Sequence, residues 1–353
     1  DGRMIKKLSQ YIGEYKNASI VTPLYIIGEA IMEQIIPLLM AMIVDNGIGK
    51  SDMGYVTKVG IIMVVVSIVS LTFGALAGKY AAKASAGFAK NLRKAMFYNI
   101  QDFSFSNIDK YSTAGLITRL TTDVTNVQNA YQMVLRMLVR APIMLIIAMI
   151  MSFSINVKLA LIFVGAMLFL GIILYFIMTK AHPYFKAVFE KYDDLNASVQ
   201  ENLTGMRVVK AYVREEHEIE KFNKSSKVLY DFFIRAEKVI VLNMPVMQFS
   251  MYTCMLLLSW LGAKMIVSGT MTTGELMSLF TYSMSILMSL MMIAMVFVMI
   301  TMAKSSAERI SEVIDEKSSL SNPENPVFEV SDGSIEFDNV NFSYGNNVDN
   351  FNL

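Results

Sequence analysis

Five stretches of this chain carry no charged residue at all: 59–78, 141–157, 159–179, 239–263 and 276–303. A sixth, 17–44, is interrupted only by Glu29 and Glu33. The hydrocarbon core of a bilayer takes roughly 20 apolar residues as helix. Inside it, every backbone N–H and C=O must find its partner within the protein. The six runs therefore predict six transmembrane helices. Composition agrees: 54% of the 353 residues are hydrophobic and 17% charged, against about 25% charged in ordinary soluble domains. Lys and Arg number 31 and Asp and Glu 30. The net charge of +1 leaves no global field for nucleic acid. Cys254 is the single cysteine, so no disulfide framework and no Cys/His metal spacing is available within the chain. His182 and His217 lie far apart in polar stretches and read as solvated side chains.

The connections alternate in length. DNGIGKSDMGYVTK, SFSINVK and KMIVSGTMTTGE are short, whereas 79–140 and 180–238 are long. The long connections therefore share one side with both termini. The short loops hold Lys50, Lys58, Lys158 and Lys264, four of the 31 basic residues. Positive charge marks the cytoplasmic face, so both ends are expected in the cytoplasm. The long connections are poor in proline and glycine over 79–107 and 184–235 and read as continuing helix. A span with some 30 further helical residues reaches about 75 Å at 1.5 Å per residue. Two polar turning points, 103–124 and 201–222, contain glycine and capping residues. Long helical hairpins with polar tips are docking devices.

Residues 334–347, SIEFDNVNFSYGNN, differ from everything before them. Ile335, Phe337, Val340, Phe342 and Tyr344 alternate with polar residues, with one phase slip at Asp338–Asn339. That is strand patterning with a bulge or tight turn. Residues 315–333, rich in Ser, Asn, Pro and Asp, read as a linker. GIGKS, 47–51, is not a phosphate loop: the pattern needs glycine five residues before Gly49, and Val44 stands there.

Four segments carry a resemblance. IDKYSTAGLITRLTTDV, 108–124, resembles the first cytoplasmic tip of the ABC exporter family (the type IV transmembrane fold) through Thr113, Gly115, Arg119, Thr122 and Asp123. ENLTGMRVVKAYVREEHEIEKF, 201–222, resembles the second through Glu201, Gly205, Lys210, Glu215 or Glu216, and Phe222. PLLMAMIVDNGI, 37–48, is similar to the end of the family's first span. GSIEFDNVNFSYGNN, 333–347, looks like the opening of its nucleotide-binding domain.

The resemblance implies an all-α polytopic membrane protein: six long transmembrane helices extending into the cytoplasm, two coupling helices, then the first β-strands of an α/β ATPase domain. The expected domains are 1–314 (membrane domain), 315–333 (linker) and 334–353 (start of the nucleotide-binding domain). It implies a subunit of the bacterial multidrug type in the cell membrane, paired with a second transmembrane subunit, a different one rather than an identical copy. The partners are that subunit, nucleotide-binding domains and the lipid bilayer. The cofactors are ATP and Mg²⁺, with Tyr344 stacking on adenine and the catalytic machinery expected beyond residue 353. Coupling to the ATPase domain falls to Tyr111, Ser112, Thr113, Gly115, Arg119, Gly205, Arg207, Lys210, Tyr212 and Arg214. The implied activity is ATP-driven export of apolar or amphipathic compounds by alternating access. Lipid, peptide or heme export, siderophore import, and an ATP-gated channel or receptor are the alternatives.

The expected substrate path combines three sets of residues. Glu29 and Glu33, at i and i+4, must face the bundle interior or a wet cavity. They contact either a cationic substrate or another helix. The methionines of the sixth span, among them Met288, Met291, Met292, Met295 and Met299, offer a pliable apolar wall; in a chain with 29 methionines they equally serve as apolar filling. Asn243 and Gln248 flank Pro245, where a kink is expected.

Overall fold

The computed structural model describes residues 2–342, and among them it is helical with no strand. The chain opens with α1 (Gly2–Leu8) and a 3-10 segment, Ser9–Tyr15, before α2 (Lys16–Met42), which closes on a π-helical turn, Ile43–Ile48. Helix α3 (Met53–Gln101) follows, then the short α4 (Phe105–Tyr111) and α5 (Thr113–Thr118), and α6 (Val124–Ile155) after a π-helical stretch, Arg119–Asp123. The second half comprises α7 (Val157–Thr204), α8 (Met206–Ala211), α9 (Glu215–Ile240), α10 (Asn243–Val267) and α11 (Thr273–Asp315). Six of these rods are long and apolar enough to cross a membrane: those containing α2, α3, α6, α7, the α9–α10 pair, and α11. The chain is a multi-pass membrane protein.

The short loops are short because each ends in a residue that starts the next helix. Asp52, Asn156 and Thr272 accept hydrogen bonds from the backbone N–H of Tyr55, Leu159 and Glu275 at 3.2, 3.1 and 3.2 Å. Each satisfies one of the donors that a helix N-terminus leaves free. The helices then overrun their charge-free runs. Helix α3 has 49 residues, about 73 Å of rod, so the spans continue as stalks beyond the hydrocarbon core. Pro245 sits in the first turn of α10, where a missing N–H is harmless; the expected kink is a break at Val241–Leu242.

Packing concentrates in two places. Toward the short-loop end, Leu159, Phe163 and Leu170 of α7 bury against Cys254 and Leu258 of α10 and Leu279, Tyr282 and Ile286 of α11. At the stalk end, Leu8 meets Phe88, Leu92 and Met96 of α3, Leu116 and Val124 of the first tip, and Ile310 and Val313 of α11. Within the first of these, hydrogen bonds staple α2 to α11. Tyr282 Oη donates to the Gln34 carbonyl and Ser278 Oγ to that of Pro37, each at 2.8 Å, and Gln34 Nε2 donates to Ser285 Oγ at 2.8 Å. Polar pairs inside a bundle hold helices that the hydrophobic effect cannot hold in lipid. The outward face of α3, including Ile61, Val65, Ile68 and Leu71, stays exposed, as a lipid-facing surface should.

The expected strands after the linker are not seen among the described residues. Residues 316–342 run as coil, and Ile335 and Phe337 are 82% and 78% exposed. Alternating residues make a strand only when a neighbour takes up the backbone N–H and C=O groups, and no described segment does so. The phase slip at Asp338–Asn339 is a bend, with Asn339 at φ +49°. Tyr344 lies outside the described residues.

Candidate coupling site

The first tip is built by capping. Ser104 starts α4, with Asn107 Oδ1 accepting from the Ser104 N–H at 3.2 Å. Ser112 breaks the chain between α4 and α5 at φ +58°, a conformation that side chains other than glycine seldom adopt. Its hydroxyl accepts from the Gly115 N–H at 3.1 Å, and a Cβ on Gly115 would stand 3.1 Å from that oxygen. The glycine thus lets the serine fold back and start α5. This leaves Ser112, Thr113 and Ala114 exposed at the apex.

Below the apex, the tip is fastened to α11. Arg119 Nη1 donates to Glu312 Oε2 at 2.9 Å and to the Arg309 carbonyl, and its guanidinium lies 4.9 Å from the Tyr111 ring centroid. Asp123, 3% exposed, receives Ser306 Oγ at 3.0 Å and pairs with Arg309 Nε at 3.2 Å. Buried carboxylates persist only when paired in this way. Asn99 Nδ2 donates to the carbonyls of Val313 and Glu316 at 2.6 and 2.8 Å, occupying acceptors that a helix end leaves bare. Glu316 accepts from Asn107 Nδ2, Lys110 Nζ and Tyr111 Oη at 2.9, 2.9 and 2.8 Å. Lys7 pairs with Asp315.

Hydrogen bonds from Lys110 first, then Tyr111, hold the Glu316 carboxyl below its usual range; the same contact raises Lys110. Tyr111 rises through partial burial and then through Glu316. A lowered carboxylate stabilises above its unfolded pKa and loses that contribution as pH falls through its folded one. Raised Lys and Tyr groups stabilise below their unfolded values, near 10, and lose it at higher pH. The contact is therefore expected to be constant in between. The melting-temperature difference between wild type and Glu316→Gln should not change from about pH 6 to 9, and should shrink as pH falls below the usual carboxylate range. A slope between pH 6 and 9 would contradict this.

The second tip is different in kind. Helix α7 ends at Gly205, α8 occupies six residues, and Val213, at φ +53°, turns the chain into α9. Its ties run within its own hairpin: Asn202 Nδ2 to Glu218 at 3.1 Å, Lys221 to Glu201 at 3.1 Å, and Lys210 to Glu215 at 3.1 Å. Tyr212 and Val213 are 75% and 79% exposed, and Val208, Arg207, Lys210 and Arg214 are exposed beside them. An apolar and basic apex with no cover is a docking surface in waiting.

The substrate-path residues do not form one cluster. Glu29 Oε1 and Glu33 Oε2 close on the two terminal nitrogens of Arg140, at 2.9 and 2.6 Å. Gly74 of α3 backs Glu29, where a Cβ would stand 2.9 Å from Oε1. Met291 packs into the α7–α10–α11 core, Met292 and Met299 are half-buried, and Met288 and Met295 are exposed on one face with Met284 and Met302. Gln248 is exposed, and Asn243 is half-buried with its Oδ1 inaccessible to solvent. Sequence reasoning missed Arg140, Glu312, Glu316, Asn99 and Asn107. The two carboxylates in an apolar run were a signal that a cation must lie opposite; the others left no trace in spacing.

Comparison with known proteins identifies the class. Residues 20–291 match the ABC transporter transmembrane region, and the chain belongs to this family. It is 32% identical over 340 residues to the uncharacterized ABC transporter ATP-binding protein YfiB of Bacillus subtilis, covering 96% of this chain and 59% of that one. An uncharacterized ABC transporter ATP-binding protein of Mycobacterium tuberculosis is 29% identical, over 92% of this chain and 56% of the relative. An ATP-dependent lipid A-core flippase of Pseudoalteromonas translucida is 22% identical, over 97% and 59%. The chain spans somewhat over half the length of these relatives.

Proposed function

We propose that this chain is the membrane-spanning part of an ATP-driven exporter that moves apolar or amphipathic compounds out of the cytoplasm. The observation that carries the reading is the pair of stalk tips. Helices of 49 and 48 residues lead into short helices whose apices, Ser112–Ala114 and Tyr212–Val213, lie exposed far from the apolar spans. Such rods transmit a turn made in a soluble domain to the membrane bundle. In this reading the stalks and both termini are cytoplasmic, consistent with the basic residues of the long connections.

ATP with Mg²⁺ is held by nucleotide-binding domains, to which Tyr344 contributes an adenine-stacking ring. The first tip engages such a domain through Tyr111, Ser112, Thr113, Gly115 and Arg119; the second does so through Gly205, Arg207, Lys210, Tyr212 and Arg214. A second transmembrane subunit of different sequence completes the pathway. Glu29, Glu33, Asn243, Gln248 and the methionines Met288, Met291, Met292, Met295 and Met299 flank it. The exposed face of Met284, Met288, Met295 and Met302 supports an apolar, shape-tolerant cargo.

Lipid export is the second reading, favoured by the flippase among the relatives. The test is ATP hydrolysis by the complete transporter in nanodiscs, titrated with lipophilic cations, neutral drugs and lipid A-type glycolipids. Stimulation by the small compounds supports drug export. Stimulation by glycolipid alone would replace it with lipid export.

A further inference from the structure

Helix α11 ends at Asp315, and Asn99 already covers its last carbonyls. The contacts nevertheless continue past the helix. Glu316 takes three donors from α4, and Asn107 Nδ2 also reaches the Lys317 carbonyl at 3.1 Å. Asn107 Oδ1 accepts from the Ser319 N–H at 3.1 Å, and the Ser319 hydroxyl meets Ser106 Oγ at 2.8 Å and Ser104 Oγ more closely. Three of the four residues just beyond the helix, Glu316, Lys317 and Ser319, are thus pinned to a seven-residue helix at the first tip and its cap Ser104. After Ser319 the chain is exposed coil.

A linker meant to swing freely would leave α11 without such ties. We propose that Glu316 is a positioning residue that clamps the segment leaving α11 onto α4. The first tip and the start of that segment then turn as one body throughout the transport cycle. This rests on the exporter reading, which makes the tips the points where force enters.

The buried Cys254 is the single cysteine of these 353 residues, so Cys254→Ala, with any cysteine elsewhere in the complete transporter also replaced, gives the background for cysteine pairs. In the complete transporter in nanodiscs, Ser106→Cys with Ser319→Cys is expected to form a disulfide equally well without nucleotide and with ATP and vanadate. The cross-linked protein is expected to keep its ATP hydrolysis within about twofold, since a joint that never opens loses nothing by being locked. Glu316→Lys should slow cross-linking at least about threefold and Lys110→Glu should restore it in the double variant; Glu316→Gln serves as a milder probe.

A disulfide that forms only without nucleotide, or that stops hydrolysis until reduced, would overturn the clamp. So would an unchanged cross-linking rate in Glu316→Lys. A transporter that cross-links as expected but hydrolyses no ATP even before oxidation supports the clamp and overturns the exporter reading.

Discussion

Arg140→Leu is expected to destabilise the protein by about 2–3 kcal/mol, less than removing one partner from a fully buried ion pair, because the three side chains are only partly buried. Arg140 is 26% exposed and its carboxylate partners Glu29 and Glu33 are 16% and 34% exposed, on a helix whose run is otherwise apolar. Without the guanidinium, two negative charges one helical turn apart face each other with no cation opposite. Their repulsion is expected to push α2 away from α6. Adding Glu29→Gln and Glu33→Gln to Arg140→Leu should return most of the lost stability, because an apolar or amide cluster avoids the charge problem altogether. Thermal unfolding in detergent measures both. An Arg140→Leu variant that melts like wild type would mean that the three side chains are independently solvated.

The second large effect is expected at Gly274. Its N–H donates to Asp45 Oδ1 at 2.9 Å, while Thr272 Oγ1 donates to Oδ2 at 2.6 Å. The carboxylate at the end of the first span thereby caps the last. A methyl on Gly274 would stand 2.5 Å from the Ala41 carbonyl oxygen and 2.7 Å from Asp45 Oδ2. Backbone cannot step aside as a flexible side chain can. Gly274→Ala should therefore force α11 from α2, at about 1–3 kcal/mol for the overpacking and up to about 2 kcal/mol for the lost cap. Asp45→Ala removes only the cap and should lose the smaller share. Equal melting temperatures for Gly274→Ala and wild type would show that the two helices do not approach so closely.

The spans were legible in the sequence because lipid imposes a simple rule, and runs such as 59–78 and 276–303 obey it without exception. The caps that start the helices after the short loops, Asp52, Asn156 and Thr272, were not read from the sequence, although their residue types carry that signal. The tips could be placed from Gly115 and Gly205, but what holds each tip could not. Arg140 read as the boundary of a span, since it ends an apolar run; its real role depends on Glu29 and Glu33, more than a hundred residues earlier. Glu316 sits in a run of ordinary charged residues, and only the return of α11 to the stalk end gives it Lys110, Tyr111 and Asn107. The methionine stripe was legible only in part. Helical spacing puts Met288 and Met295 on one face, but spacing cannot say which faces are filled by neighbours.

The central claim is that ATP, acting through the stalks, moves substrate across the bilayer. Inside-out membrane vesicles carrying the complete transporter, loaded with a fluorescent amphipathic cation outside, test it most directly. Accumulation inside the vesicles should require ATP and Mg²⁺, and should persist when an ionophore collapses the proton gradient. Accumulation driven by a proton gradient without ATP would contradict the account and make the stalks something other than levers.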